Sequence, residues 1–121
     1  MRALRWRLAF ALLPAVLAVG CHSYQVDSTV ENRTGEAIKL LEVDYPSASY
    51  GTNFLSAGAS YSYRFQIRDS GPIKVQYTET KTLKVRHIQG PDLHEGQEGH
   101  IEIVLMPDGQ ADFHAVLNSK P

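Results

Sequence analysis

The sequence predicts an all-β domain, a small antiparallel β-sandwich of about seven or eight strands. Three observations carry this prediction. After residue 22, apolar and polar residues alternate with a period of two, and no 3.6-residue period rises above it. Turn signals, among them Asn32-Arg33-Thr34-Gly35 and Asp69-Ser70-Gly71-Pro72, divide that pattern into short runs. The first twenty residues differ in composition from everything after them and stand apart from the fold.

Residues 1–20 hold 15 hydrophobic residues, three arginines (Arg2, Arg5, Arg7) and no acid. A basic start, an apolar run from Leu8 to Val19 and then Gly20 form the layout of an export signal. That run is within the ~7–15 residues of such segments and short of the ~20 that span a bilayer. An uncleaved anchor or a buried helix is the competing reading. Removing the segment leaves 101 residues with 9 Lys+Arg against 13 Asp+Glu, a net charge of −4. This excludes a basic nucleic-acid binder. A single cysteine excludes an internal disulfide framework.

The stretch Leu17-Ala18-Val19-Gly20-Cys21 resembles the lipobox of bacterial lipoprotein precursors, with leucine one place earlier than in the commonest examples. The resemblance covers roughly residues 1–22. It implies a diacylglycerol on the Cys21 thiol, cleavage before Cys21 and acylation of the freed amine. Thiolate nucleophilicity explains why the position is cysteine. A plain export signal followed by an unrelated free thiol is the alternative. The resemblance further implies a bacterial envelope location. His22 stands where aspartate would retain the protein at the inner membrane, so an outer-membrane anchor facing the periplasm is expected. Two or more acyl chains anchor stably at ~0.8 kcal/mol per buried CH₂, so the domain surface need not bind lipid to stay attached. The organisation expected is a signal over 1–20, a lipidated cysteine with a short tether over 21–23, and one domain over 24–118. A three-residue tether reaches only ~10 Å and holds the domain against the headgroups.

The strands follow in order. Tyr24, Val26, Ser28 and Val30 alternate with polar neighbours up to the Asn32–Gly35 turn. Ala37–Tyr45 is an apolar strand stopped by Pro46, and Pro46–Phe54 reads as irregular. Tyr61, Tyr63, Phe65 and Ile67 alternate cleanly and read as one core-facing stripe. Ile73, Val75 and Tyr77 continue after the Asp69–Pro72 turn, a strand follows near Leu83–Gln89, and Gly90–Gly99 reads as a loop. For the last hairpin, Met106-Pro107-Asp108-Gly109 suits a type I turn with Gly109 left-handed, inside a three-residue loop. That register pairs Ile103 with Phe113 and Ile101 with Ala115, and sets Glu102 opposite His114 on the other face. A two-residue loop would scatter the apolar face.

Two segments, Val30-Glu31-Asn32-Arg33-Thr34-Gly35 and Leu55-Ser56-Ala57-Gly58-Ala59-Ser60-Tyr61, resemble a recurrent pattern of bacterial immunoglobulin-like sandwiches. The Cys–Trp–Cys core of antibody domains is missing, and Trp6 lies in the signal. The resemblance implies an architecture and transfers no binding residues.

Catalytic motifs are absent: no Gly-x-Ser-x-Gly, phosphate-binding glycine loop, His-Glu-x-x-His or Cys-x-x-Cys occurs. The expected function is therefore a non-catalytic envelope-protein binding or accessory domain, with no cofactor besides the covalent lipid on Cys21. Exposed strand edges and the segments at 46–58 and 90–99 are its expected routes to a partner. Tyr45, Tyr50 and His94 are the candidate partner-binding residues, tyrosine being an effective anchor when it sits on a loop. The alternative is a periplasmic metal- or small-ligand-binding protein. His100, Glu102 and His114 share one face, and two imidazoles with a carboxylate suit zinc or copper. A solvated Glu102–His114 cross-strand pair is the plainer reading of the same residues.

Overall fold

The structure, a computed structural model, describes residues 23–119. The export segment, Cys21 and His22 lie outside the described residues. Eight strands form in order: β1 (Val26–Asn32), β2 (Ile38–Tyr45), β3 (Ala48–Leu55), β4 (Ser60–Phe65), β5 (Gly71–Glu79), β6 (Val85–Leu93), β7 (Glu98–Met106) and β8 (Gln110–Asn118). Two four-stranded sheets, ordered β4-β1-β7-β8 and β3-β2-β5-β6, pack face to face as a β-sandwich. All neighbouring strands are antiparallel except β1 and β7, which run parallel with Val26 beside Gly99 and Asn32 beside Leu105. Among the described residues no helix is long and apolar enough to cross a membrane.

Alternation places the core. Val26 and Val30 of β1, Ile73, Val75 and Tyr77 of β5, and Ile101, Ile103 and Leu105 of β7 are buried between the sheets. The final hairpin has the expected register, with Ile103 opposite Phe113, Ile101 opposite Ala115 and Glu102 opposite His114. Its turn differs in one respect: Asp108 is left-handed (φ 63°) as well as Gly109 (φ 73°).

The two segments that resembled a recurrent pattern are bonded to each other. Asn32, fully buried at the end of β1, donates through Nδ2 to the carbonyls of Glu36 (2.8 Å), Leu55 (3.0 Å) and Ser56 (3.2 Å). Its Oδ1 accepts from the Thr34 backbone N–H (3.0 Å) and hydroxyl (2.7 Å). Its backbone N–H donates to Ala59 O, and its carbonyl accepts from Gly58 N–H. One side chain thus closes the β1–β2 turn and ties it to the β3–β4 turn. A second buried polar group, Glu79, accepts from Thr82 Oγ1 (2.6 Å) and Arg86 Nε (3.0 Å). These two bonds, in that order, hold its carboxyl below the usual range.

Four sequence expectations are corrected. Pro46–Phe54 is not irregular: Pro46 and Ser47 make a tight turn, and β3 is an edge strand whose small outward residues, Ser49 and Gly51, mimic a loop. Gly90–Gly99 is not a long loop either. β6 extends to Leu93 through a bulge at Gly90-Pro91, leaving only His94–Gln97 as a turn. Proline is tolerated there because β6 is also an edge. Gly90 is required because a Cβ would lie 2.6 Å from Phe113 Cε2 and 2.7 Å from Ile73 Cγ2. The strand expected near Leu83–Gln89 accordingly starts at Val85. Finally, the Tyr61–Ile67 stripe is buried only at Phe65 and Ile67, while Tyr63 is 44% exposed because β4 is an edge.

Candidate functional site

The edge strands β3 and β4 lie on the same side of the sandwich, one from each sheet, and aromatic rings fill the opening between them. Register explains how they converge. Tyr61, Tyr63 and Phe65 sit opposite the inward residues Val30, Ser28 and Val26 of β1, and Tyr50 sits opposite inward Val43 of β2. Tyr50 and Tyr63 stack at 4.7 Å with 17° between planes, and Tyr45 and Phe65 stack at 4.0 Å and 23°. The Tyr50 hydroxyl is hydrogen-bonded to Ser28 Oγ, both residues being buried. Burial pushes the Tyr50 phenol up to about 12, the Ser28 bond opposing that shift. Burial also raises Tyr45, assisted by Tyr63 and opposed by Arg68.

Tyr45 and Tyr50, the two tyrosines expected as loop anchors, are therefore together but not on a loop. Tyr50 is a core residue and offers no free surface. Tyr45, half-buried, lines a groove of about 360 Å³ with Tyr63, Phe65, Arg64 and Arg68. The groove lies where the chain enters β1, since Gln25 forms part of its wall. His94 is exposed in the β6–β7 turn, and its backbone N–H donates to Gln97 Oε1 (2.9 Å).

His100, Glu102 and His114 share one outward face, as expected. Two outward rows cross the sheet β4-β1-β7-β8: Arg64, Asp27, His100, Val116 and Ser62, Thr29, Glu102, His114. His100 thus lies in a different row from His114. Asp27, the acid beside His100, is taken by Arg64 at 2.7 Å. Among the described residues, no group of three or more His, Cys, Asp or Glu is gathered to hold a metal ion.

Sequence reasoning did not find a second surface, on the outer face of β3-β2-β5-β6 at the end remote from the N-terminus. One row there runs Phe54, Lys39, Thr78, Val85. Leu40 adjoins it at a bulge of β2, and Leu83 and Lys84 precede Val85. Leu40, Phe54, Leu83 and Val85 are four of the six large hydrophobic residues left exposed among the described residues. Lys39, Lys81 and Lys84 lie among them, and none has an ion pair within 4 Å among the described residues. Two signals were readable only with the register in hand. Leu40 and Leu83 are left-handed (φ 54° and 62°), a conformation that costs leucine roughly 1–2 kcal/mol.

Comparisons with protein-family models, with curated proteins and with solved structures find no match to this chain.

Proposed function

We propose that the chain is a lipid-anchored protein of the bacterial envelope whose β-sandwich binds an acidic protein partner without catalysing a reaction. The anchor rests on the lipobox-like Leu17–Cys21. The observation that carries the binding role is the apolar–lysine surface at the far end of β3-β2-β5-β6. Four large apolar side chains exposed at one end of a sheet face point to an interaction site, and the lysines among them select an acidic counterpart. A depression of about 410 Å³ beside Leu40, bordered by Glu42 and Gly51, accepts an anchoring side chain. From Gly71 to Thr78 the strand climbs about 23 Å at ~3.3 Å per residue, so this surface lies at the end of the sandwich remote from the N-terminal segment. A second copy is disfavoured as the occupant. Two copies anchored in one leaflet would stand parallel, and face-to-face pairing would set lysine against lysine.

A photo-crosslinking residue at position 54, in cells carrying the full chain, tests this. The expected product is one dominant adduct whose crosslinked peptide is acidic, and which weakens at least tenfold with Lys39→Glu and Lys84→Glu together. The same adduct formed from position 62, on the opposite sheet, or no response to the charge reversals, would overturn the reading.

A further inference from the structure

The groove between β3 and β4 sits at the end of the sandwich from which the N-terminal segment leaves. Gln25 is part of its wall, and the neighbouring turns converge there: the Arg68 backbone N–H donates to Ser47 Oγ (3.2 Å), and Gly96 N–H donates to Ile67 O (3.0 Å). These bonds hold the Gln66–Ser70 segment in place, so Arg68 is presented from a fixed backbone. Among the described residues its charge makes no ion pair within 4 Å, the nearest acid on another turn being Glu95, which lines an adjoining depression with it. The described residues include four arginines, and three pair with a carboxylate: Arg33 with Glu31, Arg64 with Asp27 and Arg86 with Glu79. Arg68 donates through Nη2 only to the neutral Gln66 Oε1 (2.7 Å). The acid next to it in sequence, Asp69, accepts from the Ser70 backbone N–H instead (2.9 Å). A guanidinium carries five donors in a fork that matches phosphate oxygens. Beside this fork lie Tyr45, half-buried with its ring against Phe65, and Tyr63, 44% exposed.

We infer that this groove binds the phosphate of a phospholipid headgroup, with Arg68 on the phosphate and Tyr45 and Tyr63 against the glycerol and first methylenes. The inference rests on the proposed lipid anchor, because position supplies the ligand. Gln25 follows Cys21 by four residues, at most ~14 Å of extended chain. A headgroup layer is ~5–7 Å deep, so a tether extended to about half its full length brings the groove mouth into it. Tyrosine, with an apolar ring and a polar tip, is suited to that layer. Two attachments, the acyl chains and this clamp, would fix the domain upright and keep the distal lysine surface facing outward. A lipid anchor alone leaves it free to tumble.

The test uses the mature lipidated chain in non-ionic detergent, with NMR of the arginine Nε–H and tyrosine ring signals. Dihexanoylphosphatidylglycerol, dihexanoylglycerol and inorganic phosphate are added in separate titrations. The phospholipid alone is expected to shift Arg68, Tyr45 and Tyr63 saturably, with affinity reduced at least tenfold by Arg68→Gln and little changed by Arg33→Gln, at the other end of β1. Equal shifts with inorganic phosphate would make the groove a free-anion site and overturn the lipid assignment. Equal shifts with dihexanoylglycerol would remove the phosphate from it. No saturable shift with any of the three would abolish the site. The mass of the N-terminal peptide, read on the same sample, separates the two claims. An unmodified Cys21 defeats the anchor whatever the groove binds, and a modified Cys21 with no headgroup shift defeats only the groove.

Discussion

Asn32 offers the sharpest stability prediction, because one small side chain holds two turns. Asn32→Ala removes an amide that serves the carbonyls of Glu36, Leu55 and Ser56 and an oxygen that serves Thr34. The residue is fully buried, so water does not replace the lost partners without opening the structure. Two N–H donors and one backbone acceptor contact are lost, each leaving a group whose unmade bond costs roughly 1 kcal/mol or more. The Thr34 hydroxyl is the exception, since it also donates to Glu36 O (2.9 Å). The expected loss is about 3 kcal/mol, which for a domain of this size lowers Tm by roughly 12–24 °C. Asn32→Asp keeps the acceptor but turns a carboxylate toward three carbonyls, and should be at least as damaging. Thr34→Val keeps the backbone N–H to Asn32 Oδ1 and removes only the hydroxyl, which serves Asn32 Oδ1 and Glu36, and should cost about 1 kcal/mol. Urea unfolding of all three, followed by far-ultraviolet circular dichroism, ranks them. A loss below about 1 kcal/mol for Asn32→Ala, or an Asn32→Asp variant as stable as the parent, would refute the assignment of Asn32 as the clamp.

Four further outcomes are expected. Tyr50→Phe should cost roughly 1–2 kcal/mol because Ser28 Oγ is left buried without a partner, and adding Ser28→Ala should recover part of that loss. The parent should also weaken in alkali. With a folded-state pKa of about 12 against an ordinary value near 10, the neutral Tyr50 phenol stabilises fully below pH 10 and ceases to as pH rises toward 12, a loss Tyr50→Phe should blunt. Tyr77→Phe should behave oppositely, since the Tyr77 hydroxyl is buried without a hydrogen-bond partner among the described residues; chemical denaturation should find the variant unchanged or up to about 1 kcal/mol more stable. Gly90→Ala should lose about 1–3 kcal/mol by driving a methyl into Phe113 and Ile73, and Phe113→Leu in the same chain should relieve it.

Much of this architecture is legible from side-chain period. The β7–β8 register follows from Ile101, Ile103 and Phe113 needing one buried face, a local requirement the hairpin loop can satisfy in only one way. Asn32 was visible as part of a turn motif, but not as a bridge to Ser56, which is 24 residues away. The missed features are where period two breaks or a strand lacks a neighbour. Bulges at Leu40-Leu41 and Gly90-Pro91 shift the alternation by one residue, so β6 read as a loop beyond Gln89. Tyr50 and Tyr63 face the same way along edge strands, yet one is buried and the other open. That difference is set by what lies across the sandwich, not by their neighbours in sequence. The parallel β1–β7 pair joins strands more than sixty residues apart and leaves no local mark. His100, Glu102 and His114 were correctly placed on one face, but a shared face does not supply convergence. The distal lysine surface draws on β2, β3 and the β5–β6 connection, and exists only once those strands are side by side.

The proposed anchor is tested most directly by intact-mass and N-terminal peptide analysis of the protein extracted from bacterial membranes in detergent. A chain beginning at Cys21 and carrying a diacylglyceryl thioether, lost from the membrane fraction on Cys21→Ser, is the expected result. A mature chain that begins elsewhere, or one that begins at Cys21 with a free thiol, would contradict it.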